Sequence, residues 1–328
     1  MGFKIIKPGM LSILQDQGRY GYRKFGVIAS GPMDFFAHQA ANILVGNTAD
    51  AAVLEMTLNG PSMVAQSDML IALCGADLEA DVEGRRVPLW RSFFIQKGEQ
   101  LGFRYAVKGC RAYLAVHGGF AANASMGSTS TYLRAGIGGH EGRALQAGDE
   151  LKLSNAGKAT VNINNWSVSG AVTPFIRPKY EDNPVVGIVW GKEADHFAKS
   201  VRAKFLARSF TVTPQSDRMG YRLEGKPLSL KRGISHEMIS EAVVPGTIQV
   251  PPSGQPILLL SDCQTTGGYP RIAHVITAHL PLIAQVKPGG KLRFREVSLR
   301  EAQEQLLLQA MDMRLLEAGV QAWFRDHG

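Results

Sequence analysis

The stretch 257–285 holds the densest set of groups able to grip a small polar ligand. Four apolar residues, Ile257 to Leu260, read as a short strand buried on both faces. Ser261, Asp262, Gln264, Thr265 and Thr266 follow at once, offering hydroxyl, carboxylate and amide groups in a few positions. Gly267 and Gly268 admit backbone angles that a side chain forbids, and Tyr269-Pro270-Arg271 leads into a second apolar run. The pattern is that of a polar, donor-rich hairpin on two hydrophobic strands, a common way to present binding groups. A surface hairpin with ordinary turn chemistry has the same composition.

A second group is Ser216–Leu223, where Asp217, Arg218 and Arg222 put one acid and two bases in a turn. They form either a local ion pair or a guanidinium fork for a carboxylate or phosphate. Residues 117–143 are rich in glycine and hydroxyl side chains, and their backbone N–H groups are suited to cradling an anion. Their spacing matches neither dinucleotide nor P-loop fingerprints, and Ser128 and Ser130 lie outside a nucleophile elbow. The eight histidines form no HExxH or HxH pattern, and His274 and His279 are expected on opposite sides of a strand, so no metal site is expected.

These groups need elements to position them. Val53–Thr57, Met69–Cys74, Leu78–Val82, Arg91–Ile95, Gln100–Tyr105 and Arg111–Val116 read as short strands about ten residues apart, the rhythm of an antiparallel sandwich or barrel. A helix is expected after Gly31-Pro32-Met33-Asp34, with Asp34 at its start, Met33, Ala37, Ala40, Ala41 and Leu44 on its apolar face, and Gly46 ending it. Residues 154–184 lose periodicity and mark the join of two halves, 1–165 and 166–328. The second half opens with a strand, Val185–Trp190, and a helix, Ala194–Phe205. Ser298-Leu299-Arg300-Glu301 is a capping box that starts a long helix.

Composition sets limits on function. The chain has 328 residues, 45% hydrophobic and 20% charged, as in ordinary globular proteins. The formal charge of +8 is dispersed, which argues against a nucleic-acid footprint and for a solvated surface or an acidic ligand or partner. Three widely spaced cysteines support neither a disulfide framework nor a zinc knuckle, and a cytoplasmic location fits them. No signal-peptide pattern and no membrane-spanning run is read.

The motifs in order carry a resemblance. Asp16–Gly21 (DQGRYG), Gly26-Val27, Met33-Asp34, Ala41–Asn47, Leu54-Glu55, Tyr113–Gly119, Gly127–Thr131 with Gly136–Gly139, Ser216–Leu223, Ile248–Pro251 and Asp262–Ile272 together resemble the family of C-type subunits of bacterial 5-oxoprolinase. They are similar too to the carboxyltransferase-like region of biotin-dependent urea carboxylase. The resemblance implies a mainly β fold of tandem cyclophilin-like barrels with a few helices. It also implies ATP-dependent opening of 5-oxoproline to L-glutamate, with ATP as co-substrate and with partner subunits of the B type (KipI-like) and the A type (lactam-utilisation). On that basis Arg218, Asp262 and Thr266 are candidate catalytic residues. Arg19, Asp34, Asp217, Gln264, Thr265, Gly267 and Tyr269 are candidate substrate-binding residues. No biotin-attachment motif is present in the sequence. Alternatives from the same resemblance are a regulatory binding protein of the KipA type and a urea-carboxylase-like module. Ser30-Gly31-Pro32, Tyr132 and His279 depart from the family pattern, the last two standing where acids are usual.

Overall fold

The computed structural model describes residues 1–154 and 176–327. The expected boundary between 165 and 166, and most of the join, lie outside the described residues. By their contacts the residues divide into two compact units. The first comprises Met1–Arg19, Ser30–Pro178 and Gln309–Gly328, and the second Tyr20–Ala29 and Lys179–Leu308.

The first unit contains β1 (Gly2–Lys7), β2 (Leu11–Gln15), β3 (Val53–Thr57), β4 (Ser62–Ala65), β5 (Met69–Asp77), β6 (Asp81–Val82), β7 (Arg85–Arg86), β8 (Arg91–Ile95), β9 (Gln100–Gly102), β10 (Lys108–Val116) and β11 (Glu150–Lys152). They form two antiparallel sheets, ordered β11-β1-β4-β9-β6-β7 and β2-β3-β10-β5-β8. Phe3, Met63 and Leu101 of the first sheet and Leu54, Ile71 and Leu114 of the second share one core. Nearly all of β5 and β10 is buried, because helix α1 (Phe35–Leu44) covers their second face. Ala37, Ala40 and Ala41 are fully buried, so the helix approaches closely. Asp34 caps it as read, its Oδ1 accepting from the Ala37 N–H at 2.9 Å.

The second unit contains β12 (Val185–Trp190), α2 (Lys199–Ala207), β13 (Ser209–Val212), β14 (Gly220–Glu224), β15 (Glu241–Ala242), β16 (Thr247–Gln249), β17 (Ile257–Leu259), β18 (Thr266–Gly267), β19 (Arg271–Val275), α3 (Leu280–Ala284) and β20 (Lys291–Glu296). Seven strands close a barrel in the order β12-β19-β16-β17-β14-β13-β20, with β20 returning parallel to β12. Phe205 of α2 is fully buried and stacks on Phe294 of β20, with ring centroids 4.8 Å apart. A mainly β fold with a few helices is therefore what the chain adopts. Similar turns feed β9, β11 and β20, through Gly98, Gly148 and Gly289 at φ of 91°, 93° and 88°.

Several expectations need correction. β4 escapes the strand pattern because it is only four residues long. The strand at 78–82 shrinks to Asp81–Val82, because Glu79 takes a left-handed φ of 49°. The helix expected over 194–205 is broken. A 3-10 turn at Ala194–His196 gives way to extended Phe197, whose buried side chain and bridge to Leu230 pull the backbone out of helix. His279 lies on no strand: β19 ends at Val275, and His279 closes a 3-10 turn before α3, whose Pro281 suits a first helical turn. Its Nδ1 accepts the Gly187 N–H at 2.7 Å, so it does not share a strand with His274.

The last helix, α4 (Leu299–His327), starts at Ser298, whose hydroxyl accepts the Glu301 N–H at 3.0 Å. The Glu301 carboxylate meets Arg295 at 2.8 Å. Ser298→Ala is expected to cost about 1 kcal/mol, read as a shift in the denaturant midpoint without a change in slope.

Candidate functional site

The polar stretch after β17 is not a hairpin connection. β17 and β19 each pair with β16 rather than with each other, so residues 260–270 bridge over β16 at one end of the barrel. The run of apolar residues predicts two strands but not their pairing, and a third strand sits between them.

Arg218 and Asp262 meet in a bidentate pair at the start of this bridge. Nε lies 2.8 Å from Oδ2 and Nη2 3.1 Å from Oδ1. Both residues are buried, at 4% and 6% exposure. The backbones join as well: the Asp262 N–H donates to the Arg218 carbonyl at 2.9 Å, and the Leu260 N–H to the Met219 carbonyl at 3.0 Å. Ser216–Leu223 and Asp262–Gly268 are thus one structural cluster. Asp217 serves its own turn, accepting from the Met219 N–H at 2.8 Å.

Farther along, the loop is fastened through its backbone. The Thr265 carbonyl accepts the Val243 N–H at 3.1 Å, and the Gly268 carbonyl accepts the Met238 N–H at 2.9 Å. Between them β18 pairs with β15, Thr266 opposite Ala242 and Gly267 opposite Glu241. A Cβ at Gly267 would sit 2.5 Å from Gln249 Nε2, so a side chain there would displace the Gln249 amide. Tyr269 is 39% exposed, and its carbonyl accepts from Gln249 Nε2 at 3.3 Å. The side chains of Gln264, Thr265 and Thr266 have no hydrogen-bond partner among the described residues, and none of the three is buried. The backbone here is fixed, while the amide and hydroxyl side chains carry no hydrogen bond among the described residues.

Arg19 and Asp34 belong to the first unit, where the structure gives each an internal task. Arg19 is fully buried, with Nε donating to the Ser125 carbonyl at 3.0 Å and Nη2 to the Ser130 carbonyl at 2.8 Å. Asp34 is fully buried at the start of α1. The 127–131 loop wraps an anion as its composition suggests, but that anion is the chain's own Asp16. Its carboxylate accepts from the Ser128 and Ser130 hydroxyls, each at 2.6 Å, and from the Thr129 N–H at 2.5 Å. Burial acts to raise the Asp16 pKa, and these hydrogen bonds outweigh it, leaving the carboxyl below its ordinary range.

A family model described as the carboxyltransferase domain, subdomains A and B, matches residues 25–296. The chain belongs to this family. Carboxyltransferase-domain relatives that bear the name of the C subunit of 5-oxoprolinase are similar over most of their length. That of Haemophilus influenzae is 39% identical over 289 residues, covering 88% of this chain and 89% of the relative. That of Escherichia coli is 38% identical over 307 residues, covering 91% and 92%. Among solved structures, the urea carboxylase of Kluyveromyces lactis superposes with a TM-score of 0.88 at 27% identity, over 97% of this chain and 29% of that one. The urea amidolyase of K. lactis gives 0.87 at 27% identity, over 96% and 20%. The chain thus spans under a third of either fungal protein.

Two features of this carboxyltransferase-domain chain leave no mark in the local sequence. Arg271 forms a bidentate pair with Glu193, both contacts at 2.7 Å, and also reaches Glu241 at 2.6 Å, while Lys192 reaches Glu241 at 2.7 Å. Burial pushes the Glu193 carboxyl up, but the Arg271 hydrogen bonds prevail and lower it. The network ties β15 and the turn after β12 to the start of β19. Its residues are 30 and 78 positions apart, so no local spacing reveals it. The other feature is Arg23, whose guanidinium Nη2 donates to the Val243 carbonyl and lies 3.5 Å from the Gln264 carbonyl. Among the described residues no group of three or more His, Cys, Asp or Glu is placed to hold a metal, and no helix is long and apolar enough to cross a membrane.

Proposed function

We propose that the chain is the C-type subunit of a 5-oxoprolinase, acting with further subunits to open the lactam of 5-oxoproline to L-glutamate with hydrolysis of ATP. The near full-length similarity to proteins bearing that name supports this reading. The observation in the structure that carries it is the loop Gln264–Thr266, with its backbone fastened and its side chains unengaged. A lactam presents one N–H donor and one C=O acceptor side by side. The Gln264 amide and the Thr265 and Thr266 hydroxyls supply the complementary set.

In this scheme ATP phosphorylates the lactam oxygen, releasing ADP. Water adds to the activated ring carbon, the C–N bond breaks, and a second water removes the phosphoryl group. A lactam is a poor electrophile, so activation of its oxygen precedes attack. This chain's contribution is to hold and orient the amide, and Arg218 with Asp262 keeps the loop in place. Subunits of the B (KipI-like) and A (lactam-utilisation) types supply the rest, and the isolated chain does not turn over.

The test is copurification with the A-type and B-type subunits and an assay of ATP-dependent glutamate release from 5-oxoproline. A Gln264→Ala, Thr265→Val, Thr266→Val variant is expected to lose at least ~100-fold in kcat/KM, the usual scale for removing several oriented hydrogen bonds. Unchanged kcat/KM would remove the loop from the site. Absence of glutamate from the wild-type complex would end the 5-oxoprolinase reading. The match to K. lactis urea carboxylase favours a second reading, an amide-recognising carboxyltransferase module. Carboxylation of an amide in the presence of carboxybiotin would select it.

A further inference from the structure

We propose that Arg23 is a positioning residue that sets the conformation of the Gln264–Thr266 loop. Arg23 opens a 3-10 turn, Arg23–Phe25, in the Tyr20–Ala29 segment that packs with the second unit. Its Nη2 joins two carbonyls from different strand ends, Val243 just after β15 and Gln264 just before β18. Burial pushes the Cys263 thiol pKa up to about 11, against the downward pull of the positive charge of Arg23.

The geometry explains why such a clamp is needed. The β15–β18 ladder has only two residues on each side, too few to hold itself together. Toward β19 it is closed by the Met238–Gly268 bond. At its other end the Val243–Thr265 bond leaves two neighbouring carbonyl oxygens, and Arg23 sits on both. A fixed cation with several donors is the group that stabilises such convergent carbonyls. The Gly26 C-cap, at φ 81°, closes the 3-10 turn, its N–H bonding the Arg23 carbonyl at 3.0 Å. Arg23 is half-buried. Arg218, by contrast, is buried against Asp262 and anchors only the start of the bridge.

This inference rests on the proposed role of the loop, but its first test does not depend on activity. Cys263 is fully buried beside the clamp, while Cys74 and Cys110 are buried in the first unit, so the three thiols serve as reporter and controls. In native protein treated with N-ethylmaleimide and mapped by peptide mass spectrometry, Arg23→Gln is expected to speed Cys263 labelling about tenfold, as local opening does. Cys74 and Cys110 labelling stays at the wild-type rate, and Arg23→Lys falls in between. Unchanged Cys263 labelling, or equal acceleration at all three cysteines, overturns the proposal. In the assembled enzyme, Arg23→Gln is expected to lower kcat about tenfold with KM for ATP unmoved, and Arg23→Lys to recover part of it. Faster Cys263 labelling with full turnover would leave the clamp standing and remove the loop from the catalytic site, so the two readings fail separately.

Discussion

Asp262→Ala is expected to destabilise the chain by about 3–5 kcal/mol, the usual effect of removing one partner from a buried ion pair. The carboxylate meets two nitrogens of Arg218, and both residues are almost inaccessible to water. Without it a buried guanidinium loses its counter-charge, a desolvated state far costlier than an exposed broken pair. The loop also loses its anchor, so Asp262→Ala lowers activity together with stability. The control is the double variant Arg218→Met, Asp262→Leu, which removes both charges and is expected to recover most of the lost stability. Urea denaturation of wild type, both single variants and the double gives the coupling. If the single and double variants are equally destabilised, the pair is not what holds the loop.

The second large effect is acid destabilisation through His38. The imidazole is fully buried in α1, with its Nε2 at 3.1 Å from the Gln15 carbonyl, and Nδ1 has no partner among the described residues. Burial pushes its pKa from 6.5 down to about 4, against the opposing pull of the Gln15 carbonyl and of Asp16, Glu55 and Asp50. In the unfolded chain the ring takes up a proton near its ordinary pKa, while the folded chain resists it. The contribution is therefore full above about pH 6.5 and is lost as pH falls toward 4, reaching about 3 kcal/mol from one such residue. Urea midpoints between pH 7.5 and 4.5 are expected to fall more steeply for wild type than for His38→Gln. Parallel curves would show that His38 does not govern the acid response.

Some of the architecture is written locally. β3, β8 and β12 run over the residues that their apolar patterns mark, and Asp34 caps the start of α1, with Gly46 just past its end in a left-handed conformation. These features depend on periodicity, caps and glycine angles within a few residues. The failures share the opposite cause. Phe197 reads as part of a helical face, but its buried bridge to Leu230 overrides that preference. The Asp16 loop has the composition of an anion site, and a carboxylate 112 residues before Ser128 in the chain fills it. Arg19, a substrate-binding candidate by type, likewise finds distant neighbours that its type does not reveal: its guanidinium hydrogen-bonds carbonyls more than a hundred residues away.

The amino-acid sequence alone determined a β-rich chain, the rhythm of its strands, the family motifs and the polar run at 261–266, because each is a property of neighbouring residues. Only the tertiary structure decided that β16 separates β17 from β19, that Arg218 neutralises Asp262 across 44 residues, and that Arg23 reaches the same loop from 241 positions away. Hydrogen-bond and charge partners are chosen by proximity in space, and no periodicity along a chain encodes which distant carbonyl or carboxylate a guanidinium will meet.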